Sequence, residues 1–73
     1  MAESVIVVQR SGGGYVKGAK VVLGFSNGVT SAVYTDDKGE AVVQHSNTGQ
    51  ATVYVDGSEK GSINTPARKL VFI

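Results

Sequence analysis

The stretch from Gly18 to Val43 constrains the fold more than any other part of the chain, because it alternates β-type runs with two turns of different chemistry. Asn27-Gly28 is a dipeptide that suits a two-residue hairpin turn, in which both central residues need a positive φ. Asp36-Asp37-Lys38-Gly39 predicts a longer hairpin loop, in which a type I turn is followed by a glycine in the left-handed region. Together these features predict a small antiparallel β-domain.

The same pattern extends over the whole chain. Apolar residues never recur with helical spacing over a useful length, whereas β-branched runs alternate with turn residues about every 8–12 positions. Asp56-Gly57 predicts one more tight reversal, and Thr65-Pro66 interrupts a strand because proline has no amide hydrogen to donate. We predict an all-β sandwich or small barrel that forms a single domain over residues 1–73, with seven strands: Glu3–Arg10, Ala19–Phe25, Val29–Thr35, Glu40–His45, Gln50–Val55, Glu59–Thr65 and Arg68–Ile73.

The composition limits both stability and function. A chain of 73 residues without cysteine has a thin core and no disulfide, so self-association is one route to burying more apolar surface. The net charge of +1, with Arg10, Lys17, Lys20, Lys60, Arg68 and Lys69 spread between acidic residues, argues against a nucleic-acid partner. No apolar run is long enough to span a bilayer, so we expect no membrane partner.

The N-terminal residues do not have the pattern of a signal peptide, since Glu3 stands where a positive region belongs and the apolar run is short. We expect either a cytoplasmic protein or an exported domain whose signal or parent chain has been removed. The compartment therefore stays open at this point.

Three motifs carry a family resemblance: Gly18-Ala19-x-Val21-x-Leu23, Thr35-Asp36-x-x-Gly39-x-x-Val42 and Gly49-x-Ala51-x-Val53-x-Val55. The chain resembles the carboxypeptidase regulatory-domain-like family from about Val5 to Val55. The resemblance implies a transthyretin-like (prealbumin-like) fold, a seven-stranded antiparallel Greek-key β-sandwich. It also implies an accessory role, such as adhesion, assembly, or contact with protein or carbohydrate. Ala41 and Ala51 stand where that family usually has aromatic residues.

No residue pattern indicates catalysis, a metal site or a cofactor. Asp36 and Asp37 are adjacent carboxylates, which we interpret as turn formers because aspartate at a turn commonly binds its own backbone. His45 is the only histidine, and we expect it on the surface near a strand end. Gly12-Gly13-Gly14 lacks the Lys-Ser/Thr and the helix of a phosphate-binding loop, so we predict a flexible connection between strands.

The tyrosines suggest a contact surface. Tyr54 should face outward if Val53 and Val55 face inward, and an outward tyrosine suits an interface through its large, rigid, amphipathic ring. The alternative is that the tyrosines only cap the edge of a thin core. The residues of this predicted interaction surface are Tyr15, Tyr34, Val42, Thr52 and Tyr54.

We therefore predict a non-enzymatic binding or assembly module that contacts protein or carbohydrate and uses no cofactor. The alternative is a self-assembling structural subunit that pairs through edge strands, and an enzyme of unknown type is a remote third possibility. The run Val5-Ile6-Val7-Val8 is apolar on both sides, although a sandwich has one interior. We accordingly expect a homodimer through the first and last strands, with these residues on the outer face: Ile6, Val8, Val71 and Ile73.

Overall fold

A computed structural model describes residues 2–26, 28–46 and 48–73, and within these ranges the chain is all-β with no helix. The described part of the chain therefore contains no helix that is long and apolar enough to cross a membrane. The strands are β1 (Ala2–Gln9), β2 (Lys20–Phe25), β3 (Gly28–Val29), β4 (Val33–Tyr34), β5 (Glu40–His45), β6 (Gly49–Val55), β7 (Ser58–Thr65) and β8 (Arg68–Phe72).

The strands form two sheets, which confirms the predicted all-β, two-layer architecture. Sheet A has three strands in the order β5-β1-β8. Sheet B has the order β3-β2-β6-β7, and β4 also pairs with β2. Strands β3 and β4 pair with opposite halves of β2, so they are two pieces of one interrupted edge strand. Thr30 lies between them and keeps contact with β2, because its amide donates to the Leu23 carbonyl and its Oγ1 accepts from the Leu23 amide.

One pairing corrects the expectation of a fully antiparallel sandwich. Strands β1 and β8 are parallel, with Val5 opposite Arg68 and Val7 opposite Leu70, whereas β1 and β5 are antiparallel. A parallel pair needs a crossover connection, and here nearly the whole chain separates its two strands. β1 is therefore the central strand of sheet A, not an edge strand.

The core lies between the sheets and follows the period of two in each strand. Its fully buried side chains come mainly from β1, β2, β5 and β6. Ile6 and Val8 have no exposed surface and Val71 is only 3% exposed, so these three face inward and the prediction that they lie on the outer face is wrong. The reason is register: Ser4, Ile6 and Val8 alternate with Glu3, Val5 and Val7, and the strand turns the first set toward sheet B. Ile73, which follows β8, is 40% exposed.

The turns largely match their sequence signals. Gly39 has a φ of 72° after the Asp36–Lys38 turn, as predicted. Asp56 and Gly57, with φ of 52° and 85°, form the two-residue reversal between β6 and β7. The break predicted at Thr65-Pro66 separates β7 from β8. Of the predicted Asn27-Gly28 turn, Asn27 lies outside the described residues, and Gly28 is a residue of β3 that pairs with Phe25.

Candidate functional site

The structure divides the five residues of the predicted interaction surface among three places. Thr52 and Tyr54 on β6 and Tyr34 on β4 lie on the outer face of sheet B, because their strand partners there are Gly24, Val22 and Lys20. Val42 lies on β5, with its side chain on the outer face of sheet A, so it is on the opposite side of the sandwich. Tyr15 lies in the β1–β2 connection, where its ring contacts Gly39. The expectation that Val42 lies near Tyr54 is therefore wrong.

The outer face of sheet A carries an apolar patch that we call the sheet A face. It is set by register: Val5 lies opposite Val42 on one side of β1, and Val7 lies opposite Leu70 on the other. Val42, Leu70 and Phe72 are 46%, 47% and 53% exposed. The patch consists of Val5, Val7, Val42, Leu70 and Phe72. None of these residues belongs to the core cluster between the sheets.

An ion pair crosses the middle of the sheet A face. Glu40 on β5 and Arg68 on β8 flank β1, and their Oε2 and Nη2 atoms are 3.1 Å apart. Two strand spacings, about 10 Å, separate β5 from β8, so the two side chains reach over β1 to meet. Val7 lies opposite both Glu40 and Leu70, and only 5% of it is exposed although it points away from the core. The patch thus has an apolar surface with one positive and one negative group at its centre.

A second feature, which we call the sheet B notch, lies on the outer face of sheet B. Gly24 has no side chain, and the ring of Tyr54 leans over it, so that a Cβ added at Gly24 would lie 2.9 Å from Tyr54 Cε2. The notch is a shallow cavity of about 690 Å³, with Ser26 and Val29 on one side and the first residues of β6 on the other. The described residues that line it are Gly24, Phe25, Ser26, Val29, Thr48, Gln50, Ala51, Thr52 and Tyr54.

Strand length creates this notch. The pairing of β2 with β6 ends at Gly24 opposite Thr52. Strand β6 extends further, and its residues Gly49, Gln50 and Ala51 pair with β7. Among the described residues, these three have strand partners on β7 only. Within the described part of the chain, no strand therefore pairs with this edge of β6, which faces the notch.

His45 is buried, so the prediction of a surface histidine is wrong. Only 5% of it is exposed, its ring centroid lies 5.3 Å from that of Phe25, and its Nε2 is 2.9 Å from the hydroxyl of Ser4. That hydroxyl also accepts a hydrogen bond from the Ala67 amide, and Ser4 has no exposed surface. A hydroxyl next to an imidazole resembles part of a hydrolytic site, but a substrate cannot reach atoms in this position. The pair joins β1 to β5 and to the segment before β8.

The adjacent carboxylates behave as turn formers. Asp36 Oδ1 accepts hydrogen bonds from the amides of Lys38 and Glu40, at 2.8 and 3.0 Å. The bonds from the Glu40 and Lys38 amides hold the pKa of Asp36 below its ordinary value of 3.8, because they stabilise the charged form. Asp37 forms an exposed ion pair with Lys17. Over residues 2–26, 28–46 and 48–73 no cluster of histidine and acidic side chains is arranged to hold a metal ion.

The glycine-rich segment folds back onto the sandwich. The Val16 amide donates to the Val8 carbonyl, and the Arg10 amide donates to that of Gly14. The side chain of Val16 packs against the core cluster. The segment therefore closes one end of the sandwich, and it contains no helix whose N-terminus could face a phosphate.

Two of these features could be predicted from the sequence only in part. The apolar run Val5–Val8 indicated that one side of β1 carries apolar groups away from the core, but not which side. Nothing in the sequence pairs Gly24 with Tyr54, because the two residues meet only through the β2–β6 register.

Comparison with known proteins does not assign the chain to a family. No family model matches it, and no curated protein or solved structure is similar enough to count as a match.

Proposed function

We propose that this protein is a non-enzymatic β-sandwich contact module that self-associates through the sheet A face. The observation that carries the proposal is the exposure of Val42, Leu70 and Phe72 on a sandwich whose single interior is already filled by other side chains. The accessory role and the transthyretin-like Greek-key topology that the resemblance implies belong to the same proposal. The partner that we propose is a second copy of this chain.

Three apolar side chains of the sheet A face, those of Val42, Leu70 and Phe72, are about half exposed. A sheet of a soluble protein commonly has one face on the core and one polar face toward water. In sheet A the outward positions of β1 and β8 include Val5, Val7, Leu70 and Phe72, and no described segment packs over Leu70 or Phe72, which are about half exposed. Such a patch on a small domain is typical of an interaction site.

Charge favours a second copy over other partners. The sheet A face presents one acidic and one basic group side by side, in the Glu40–Arg68 pair. If two copies meet face to face about a two-fold axis near this pair, Arg68 of one copy approaches the partner's Glu40, and the reverse contact follows by symmetry. The patch is therefore complementary to itself, and the charges specify orientation more than affinity.

The size of the patch predicts a weak contact. Three strands about 4.8 Å apart, with about six residues each, give a face of roughly 15 by 20 Å. Such a face, about 300 Å² on each copy, is smaller than a standard specific interface of about 800 Å² per partner, so we expect a weak, transient contact with a dissociation constant well above micromolar. Edge-strand pairing is the alternative mode. β1 cannot use it, because β5 and β8 already flank that strand. The two edges of sheet A are β5 and β8, and β8 has Arg68 and Lys69 at its start.

Sedimentation equilibrium over a wide concentration range tests the proposal. The wild-type chain should show a monomer–dimer equilibrium, and Leu70→Lys and Phe72→Lys should each shift it to monomer, because a buried ammonium disrupts an apolar contact. Val29→Lys is the matched control, since Val29 is 71% exposed on the edge of the other sheet and should dimerise like wild type. A monomer at every concentration, or a dimer that neither sheet A variant affects, would contradict the proposal.

A charge-swap experiment tests the orientation. Glu40→Arg and Arg68→Glu should each prevent self-association, because like charges then meet across the two-fold axis. Mixing the two variants should restore a dimer, since each supplies the charge that the other lacks. If the mixture stays monomeric while wild type dimerises, the face-to-face arrangement is wrong and edge pairing through β8 becomes the better account.

A further inference from the structure

We infer that the sheet B notch is a binding site for a short neutral saccharide. The notch lies on the opposite side of the sandwich from the sheet A face, so this inference does not depend on the proposed self-association.

The shape suits a small ligand. The cavity of about 690 Å³ lies within the range of small-molecule sites. Its floor is the backbone at Gly24, where the absence of a side chain keeps the surface low between β3 and β6. One wall is formed by Ser26 and Val29, and the other by the first residues of β6.

The lining chemistry favours a neutral, hydroxyl-rich ligand. The polar side chains on the walls are the hydroxyls of Ser26, Thr48 and Thr52 and the carboxamide of Gln50. Hydroxyls and amides both donate and accept, so they match sugar hydroxyls in either direction. The described side chains that line the cavity include no charged group, so among them an anionic or cationic ligand finds no counter-charge.

The aromatic group provides the apolar contact. Tyr54 packs against Gly24, and a Cβ added at this glycine would lie 2.9 Å from the edge of the ring. The ring and the side chain of Val29 both line the notch, so they give an apolar strip next to the polar groups. A pyranose ring also has an apolar face and a rim of hydroxyls, so the two surfaces correspond.

The backbone of β6 adds directional groups. Among the described residues, Gly49, Gln50 and Ala51 have strand partners on β7 only, and their other edge faces the notch. Amide and carbonyl groups on such an edge are strong donors and acceptors. Because the notch is open on one side, we expect dissociation constants of about 1 mM, which correspond to only about 4 kcal/mol.

The test is a titration of the ¹⁵N-labelled chain, followed by NMR, with maltotriose, cellotriose and triacetylchitotriose. At least one of them should move the amide signals of Gln50, Thr52 and Tyr54 in a saturable way at concentrations up to about 10 mM. Trigalacturonate is the matched charged ligand and should bind more weakly than the best neutral sugar. A neutral peptide rich in serine and threonine separates sugar recognition from strand addition.

Variants then assign the effect to the notch. Gln50→Ala, which changes an exposed side chain, should weaken binding by about threefold to tenfold, and Tyr54→Ala by about tenfold or more. Gly24→Ala should also weaken it, because the new methyl group displaces the Tyr54 ring. Tyr34→Ala and Gly12→Ala are controls outside the notch, and an added Cβ at Gly12 meets nothing within 4 Å. Far-UV circular dichroism establishes that each variant is folded.

Three results would overturn the inference. The first is the absence of localised signal changes with all three neutral sugars. The second is a response that Gln50→Ala and Tyr54→Ala leave unaltered, which would place binding elsewhere. The third is a response to trigalacturonate or to the peptide that is stronger than the response to every neutral sugar.

Discussion

The hydroxyl of Ser4 and Nε2 of His45 are joined by a hydrogen bond of 2.9 Å between strands β1 and β5, inside the sandwich. The two residues are 41 positions apart in the sequence. Ser4 also accepts from the Ala67 amide at 3.2 Å, so one hydroxyl connects three segments of sheet A. At this end of the thin core, these polar contacts hold the segments together in place of apolar packing.

Ser4→Ala should therefore destabilise the protein by about 1–3 kcal/mol, because it leaves the Ala67 amide and the imidazole without this buried partner. Urea unfolding, followed by circular dichroism, measures the effect. Ser62→Ala, at an exposed position on β7, is the control and should change stability by less than about 0.5 kcal/mol. Equal effects of the two substitutions would mean that the Ser4 hydrogen bonds do not contribute to stability.

Substitutions of Gly39 test the turn before β5, because both the backbone angle and the contacts of this residue require glycine. Its φ of 72° is unfavourable for other residues, and an added Cβ would lie 2.5 Å from the Val8 carbonyl oxygen and 3.1 Å from Tyr15 Cβ. We expect Gly39→Ala to cost more than about 2 kcal/mol, and Gly39→Val more still, because strain and collision add.

Gly18→Ala separates these two contributions. Gly18 has a similar φ of 78°, but an added Cβ meets nothing within 4 Å. The substitution should cost about 1–2 kcal/mol, the strain of the left-handed region alone. If Gly39→Ala destabilises the protein no more than Gly18→Ala in thermal or urea unfolding, Gly39 does not lie as close to β1 as the structure shows.

Asp36 should make stability depend on pH below about pH 4. Hydrogen bonds from the Glu40 and Lys38 amides lower the pKa of its carboxyl group in the folded state, so the folded state favours the charged form. The resulting stabilisation is fully present above the unfolded-state pKa of about 3.9 and is lost as the pH falls through the lower, folded-state pKa.

Unfolding by urea at a series of pH values measures this effect. Wild type should exceed Asp36→Asn in stability at neutral pH, and the difference should shrink in acid. Asp37→Asn is the control, because the Asp37 side chain is 83% exposed and pairs with Lys17 across the surface. The same acid dependence in wild type and in Asp36→Asn would show that this carboxylate does not hold the turn.

Thr35 secures the β1–β2 connection to β4. Its Oγ1 accepts from the Ala19 amide at 2.9 Å and donates to the Val16 carbonyl at 2.6 Å, and only 4% of the residue is exposed. Thr35→Val keeps the shape and removes both bonds, so we expect a loss of about 1–3 kcal/mol. Thr35→Ser keeps the hydroxyl and should cost only about 1 kcal/mol, for the methyl group. The order of the two unfolding midpoints decides whether the hydroxyl or the packing matters.

Local chemistry was sufficient to predict most strands and several turns. Gly39 has its positive φ, and Asp56-Gly57 forms the reversal between β6 and β7, because these signals act over a few residues. The predicted bounds Glu40–His45 coincide with β5, because an alternating run between two turns is expected to form a strand that ends at those turns. The alternation also predicted that Val53 and Val55 face inward and that Tyr54 faces outward, because the period of two is a property of any strand.

Strand partners and sheet membership were decided by tertiary structure. In the Val5–Val8 run both alternating sets are apolar, so hydrophobicity could not tell which set faces the core, and only packing against sheet B turned Ile6 and Val8 inward. The parallel pairing of β1 with β8, the separation of Val42 from Tyr54 and the burial of His45 all depend on contacts between residues far apart in the chain. The sequence thus determined where strands begin and reverse, which is a local matter, whereas the surfaces proposed for contact were decided by long-range pairing, which no short pattern encodes.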